Sequence, residues 1–145
     1  MQKILLVIEK GKGKDLWGRV TFDDNLIVDS APSIDLLREK MAGLLCDFHD
    51  LPVSEIGFDI AYDLTAVFSE KAYLNLSVVA QKLGINRSLM AQYASGNKFP
   101  SAERARAIEQ TIHGLGRDLL NIRIAVKGAK VVPSGKPKAK AKEGE

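Results

Sequence analysis

Asn86, Arg87, Ser88, Ala91, Gln92 and Ser95 recur at spacings that set them along one side of a short helix, with Asn97 and Lys98 in the loop behind it. Such residues neither make nor break covalent bonds. They can offer hydrogen bonds in a row, guanidinium and amide to base edges, hydroxyl and ammonium to phosphate oxygens. Other groups could do harder chemistry, and each has a plainer reading. Asp23, Asp24 and Asp29 lie close in sequence, and paired carboxylates can hold a hydrolytic metal. Asp23-Asp24-Asn25 is also what a tight turn contains, and the turn is the reading adopted. His49 stands at the end of a helical stretch, where a cation suits the helix dipole. His113 is not read as a metal ligand. Cys46 reads as a small core residue. Lys10 to Lys14 contains Gly-x-Gly without the strand-to-helix setting of a phosphate loop. No catalytic constellation emerges, and neither a cofactor nor a metal site is predicted.

The polar row needs elements to hold it out. Residues 76–96 read as two short helices around a tight turn. Ser77 is the expected N-cap of the first, and Val78, Val79, Ala80 and Leu83 give it an apolar side. Gly84 takes the turn, being the residue that most cheaply adopts a positive φ. Asn86 or Arg87 opens the second helix, with Leu89, Met90 and Tyr93 facing inward. Ala80, four before Gly84, allows the two helices to cross closely. This is the layout of a helix-turn-helix that reads DNA. In it Arg87, Ser88 and Gln92 reach base edges, while Ser77, Ser95, Asn97 and Lys98 hold phosphates. Ser101 caps a third helix with Ala105, Ile108, Ile112, Leu115 and Leu119 at three- and four-residue intervals.

The 145 residues suffice for one ordinary domain or two small ones. Apolar residues make up 46% and charged residues 27%, enough for a core and for solubility. The run Ile4 to Ile8 is too short for an export signal or a membrane span, and the one cysteine forms no internal disulfide. A cytoplasmic protein is expected. The net charge of +3 divides unevenly. Residues 1–74 hold 8 Lys/Arg and 13 Asp/Glu, residues 75–126 hold 7 and 3, and residues 127–145 hold 6 and 2. An acidic front and a basic back imply different partners, with the polyanion on the basic side.

The front reads as an α+β unit in the order β-β-β-α-β. Lys3–Glu9, Leu16–Phe22 and Leu26–Val28 form a meander joined by turns at residues 10–15 and 23–25. A helix capped at Ser33 carries an apolar stripe of Ile34, Leu37, Met41, Leu44 and Phe48, with Leu45 beside it. A fourth strand is expected over Phe58–Leu64. Residues 121–126 alternate weakly and are open between a short strand and a fraying helix end. The Lys/Ala/Pro-rich tail of residues 127–145 has too few apolar residues to pack and is expected to be disordered.

The segment SLMAQYASGNKFPSAERARAIE resembles the Cro/C1-type helix-turn-helix family. Together with KILLVIE, WGRVTFDDNLIVDSAPSIDLLREKM, LNLSVVAQKLGINRSLMAQYASG and IHGLGRDLL, it makes residues 3 to about 124 similar to the HicB-like antitoxins of type II toxin–antitoxin systems. That resemblance implies a partial ribonuclease-H-like unit over residues 1–64 that neutralises a small basic HicA-like mRNA-cleaving toxin without being a nuclease itself. It implies an all-α helix-turn-helix domain over residues 65–126 that binds operator double-stranded DNA as a homodimer or higher oligomer and represses the operon. Asp23, Asp24 and Asp29 are the expected contacts to the basic toxin. The Pro-Gly-Cys element common after the second strand of such proteins is replaced here by Asp23-Asp24-Asn25-Leu26-Ile27. The alternative is a stand-alone helix-turn-helix regulator whose front unit dimerises or senses a ligand.

Overall fold

Alternating apolar residues commit the front of the chain to strands with one dry face. In the computed structural model, which describes residues 2–128, β1 spans Gln2–Lys10, β2 Leu16–Phe22 and β3 Asn25–Ala31. Ile4, Leu6 and Ile8 of β1 and Leu16 and Val20 of β2 are buried on that face, whereas Leu5 on the other is 55% exposed. The β2–β3 link is as tight as expected: Asp23 and Asp24 both take positive φ, 49° and 63°, and the Asn25 amide donates to the Asp23 carbonyl. Aspartate tolerates the left-handed region better than most side chains.

Helix α1 (Ile34–His49) starts where Ser33 Oγ accepts from the Leu36 N–H and stops at Asp50, which has φ 56°. Its buried line is Leu37, Met41 and Leu45, each fully buried, and each such side chain stabilises the fold by about 1.5–3 kcal/mol. Phe48, expected in this stripe, is 73% exposed. Phe48 lies three residues past Leu45, on the side of α1 turned to solvent, while His49 next to it still meets Phe22 of β2. Gly18 of β2 sits directly beneath α1: a Cβ there would lie 2.7 Å from Leu37 Cδ2 and 2.9 Å from Leu6 Cδ1.

After a 3₁₀ turn at Val53–Glu55, β4 spans Ile56–Tyr62 and lies parallel to β1, from Gln2 opposite Ile56 to Ile8 opposite Tyr62. The other pairs are antiparallel and the strand order is β3-β2-β1-β4. The chain is thus α+β, a four-stranded mixed sheet followed by further helices.

The strand ends two residues earlier than the alternation to Leu64 implies, because Asp63 caps another helix, α2 (Leu64–Glu70), by accepting from the Ala66 N–H at 3.1 Å. The sequence reading missed α2. The helix touches two cores. Ala66 belongs with the sheet residues, while Leu64 and Phe68 pack on Val79, Ala80, Met90, Tyr93 and Ile108. Two hydrogen bonds also tie its start to the sheet: Asp63 N–H donates to the Ile8 carbonyl and Lys10 N–H donates to the Thr65 hydroxyl.

The remaining helices are α3 (Leu76–Leu83), α4 (Arg87–Ser95) and α5 (Ala102–Leu120). Ser101 caps α5, its Oγ accepting from Arg104 N–H. Of the residues expected inward on α5, Ile108 is buried and Ile112 and Leu115 are half-buried, but Ala105 and Leu119 are exposed. Residues 122–126 continue neither the helix nor a strand, apart from an isolated bridge at Ala125. The tail expected to be disordered lies, from residue 129 on, outside the described residues.

Candidate nucleic-acid interface

Helix α3 is started by a residue other than the expected one. Asn75, not Ser77, is the N-cap, its side-chain oxygen accepting from the N–H groups of Ser77 at 2.9 Å and Val78 at 3.3 Å. Asn is at least as good a cap as Ser, and here it stands at the last extended residue. Ser77 is therefore inside the first turn, and its hydroxyl is free for something else. It accepts from Arg87 Nε at 2.6 Å, across the helix pair.

The turn between the helices is built as its sequence requires. Gly84 has φ 86°, and the N–H groups of Gly84 and Ile85 return to Ala80 O at 2.9 and 3.0 Å. Such a left-handed closure satisfies the last carbonyls of α3. Asn86 then caps α4, accepting from Leu89 N–H at 2.8 Å. Val79, Ala80, Met90 and Tyr93 are buried between the elements, and Val78, expected with them, lies at the surface.

At 100° per residue Arg87, Ala91, Ser95, Ser88 and Gln92 fall within about 140° of the circumference of α4, opposite the buried Met90 and Tyr93. Arg87, Ser88 and Ser95 are exposed, while Ala91 and Gln92 are half-buried. Asn97 and Lys98 are exposed in the loop beyond the cap Gly96, which has φ 84°. Three of the expected polar groups have internal work. The Asn86 side chain is committed to capping, Ser95 Oγ donates to Gln92 O, and Ser77 holds Arg87. Arg87 uses only Nε in that bond, so both Nη groups remain for a ligand. No Asp or Glu occurs between Glu70 and Glu103, whereas Lys82, Arg87 and Lys98 do. The whole α3–turn–α4 element therefore lacks an anionic side chain of its own, which suits it to a phosphate backbone.

The aspartates expected to meet a toxin are not brought together. Asp23 and Asp24 form the tip of the β2–β3 turn. Asp29, at the other end of β3, is 33% exposed; it accepts from Ser30 N–H and pairs with Lys40 of α1 at 3.6 Å. It lies opposite Gly18 in register, on the face that α1 covers. His49 ends α1 and meets the Phe22 ring edge-on at 5.0 Å. Cys46 is half-buried. Among the described residues no group of three His, Cys, Asp or Glu could hold a metal, and no helix is long and apolar enough to cross a membrane.

The missed cap had a readable signal, since Asn75 immediately precedes the apolar run of α3. The Ser77–Arg87 bond had none, because it depends on the crossing of two helices. Neither a protein-family model, a curated protein nor a solved structure matches this chain.

Proposed function

We propose that the chain is an antitoxin and transcriptional autorepressor, binding operator DNA through α4 and neutralising a small basic mRNA-cleaving toxin through its front unit. The reading takes the sheet with α1 as a partial ribonuclease-H-like unit of HicB type, and α2–α5 as a Cro/C1-type helix-turn-helix domain that works as a homodimer or higher oligomer. It assigns no enzymatic activity. The observation that carries it is the capped α3–turn–α4 pair, which presents Arg87, Ser88 and Gln92 outward from an element without acidic side chains. Arg87 is the base reader, held at its angle by Ser77, and Lys98 and Asn97 are phosphate contacts. The front unit supplies the acidic partner for a basic toxin, with Asp23 and Asp24 at the β2–β3 turn and Asp29 further along β3 as its candidate contacts. Asp29 is already paired with Lys40.

The test has two arms. The chain should retard duplex from the flank of its own gene more than shuffled duplex. Co-expression should also relieve growth arrest caused by the small basic product of the neighbouring gene. The dispersal of the aspartates favours one second reading, a stand-alone regulator. Operator binding without a toxic neighbour would select it.

A further inference from the structure

Beside the second core, an open groove of about 890 Å³ runs along α5 and the chain that joins β4 to α3. Tyr62, Leu64, Tyr73, Phe99, Ile112 and Leu119 are among its lining. Three of them stand largely in solvent: Tyr73 is 75%, Phe99 80% and Leu119 58% exposed. Just past Leu119 the helix ends. Asn121 caps it and Ile122 N–H closes on Leu119 O at 3.2 Å, after which the chain departs from helical geometry. Ile122, Ile124 and Val126 follow on that arm, 58%, 64% and 48% exposed. One copy of the chain therefore carries an uncovered apolar groove and an uncovered apolar arm.

With Leu120, which is 84% exposed, these residues present a surface on the order of 800 Å², taking about 150–250 Å² for each aromatic and less for each aliphatic side chain. That is what each partner of a standard protein interface contributes. We propose that the groove receives residues 122–126 of a second copy, and that the two arms are exchanged about a two-fold axis. A chain that carries both donor and acceptor satisfies both with a single two-fold operation. In an extended arm Ile122, Ile124 and Val126 share one side and enter the groove, while Arg123 and Ala125 fall on the other. Arg123 then stays in water and loses no hydration. The inference names the surface for the self-association proposed above, and it stands whether or not α4 reads DNA.

Sedimentation velocity on the full chain tests it first. The wild type should dimerise with rising concentration. Ile124→Asp should weaken the dimer by about a hundredfold or more, because a carboxylate would enter the apolar groove unpaired. Ile124 is solvent-exposed in one copy, so the variant should keep the wild-type circular dichroism, and at concentrations where both are monomeric it should keep the wild-type melting temperature as well. A wild type that stays monomeric, or a dimer indifferent to Ile124→Asp, overturns the proposal. The second measurement fixes the occupant. On a Cys46→Ala background, a chain with Ile124→Cys is mixed with a size-tagged chain with His113→Cys, His113 being a groove residue, and treated with a short bismaleimide. Cross-links between chains of different size are expected. Their absence overturns exchange between copies, as does efficient closure within a monomeric chain that carries both substitutions.

Discussion

Ser77 has the type of a helix cap and the position of something else. With Asn75 on the free N–H groups, the Ser77 hydroxyl accepts from Arg87 at 2.6 Å and links the first turns of α3 and α4. A charge-assisted hydrogen bond at the surface adds little stability, but it restricts a side chain that otherwise samples many rotamers. Ser77→Ala should therefore leave the stability within about 0.5 kcal/mol of wild type. It should weaken specific DNA binding by about 1 kcal/mol, the usual value of one hydrogen bond. A matching loss of stability in thermal melts would assign Ser77 to the fold instead. Lys98, exposed in the loop, is a point charge without readout geometry. Lys98→Ala should lower affinity alike on every duplex and reduce the salt slope by about one.

At the scale of elements, caps and close contacts decide where helices start and how near they come. Asn75→Ala should destabilise the chain by about 1 kcal/mol in chemical denaturation, whereas the nearby Ser77→Ala should not. Gly18→Val places methyl groups where Leu37 Cδ2 is already 2.7 Å from a bare Cβ, so the Leu37 and Leu6 side chains must shift and loosen the contact of α1 with β2. Overpacking of this kind costs about 1–3 kcal/mol. The same elements show what could be read in advance. The strands, α1 and the α3–turn–α4 pair announce themselves through period-two and period-3.6 burial, and Gly84, Ser33 and Ser101 through capping chemistry. Two features were hidden. Helix α2 is only Leu64–Glu70, too short for a periodic signal, and its Asp63 cap follows an alternation that argued for more strand. Asp23, Asp24 and Asp29 are near one another in sequence, but an extended β3 carries Asp29 away from the turn and towards Lys40. The outward row on α4 was legible because helical spacing alone fixes it, and the bond that orients Arg87 was not.

Across the whole molecule, α2 joins the two cores, with Ala66 in one and Leu64 and Phe68 in the other. Leu45→Ala, made deep in the first core, should cost about 2–5 kcal/mol. It should also lower the melting of the helical signal together with that of Trp17 fluorescence, since the sheet cannot open without releasing α2. Two separate transitions would mean that α2 does not transmit stability between the cores. The charge asymmetry belongs to this scale as well. An acidic front beside an acid-free α3–α4 element directs a polyanion to one end of the chain. That such a ligand is read, and not merely held, is the central claim, and one titration tests it most directly. Fluorescence anisotropy at fixed salt would compare wild type and Arg87→Ala on duplex from the flank of the chain's own gene and on the same duplex shuffled. Arg87→Ala should lose about 1–3 kcal/mol on the first and much less on the second. Equal loss on both duplexes would contradict the insertion of α4 into a groove.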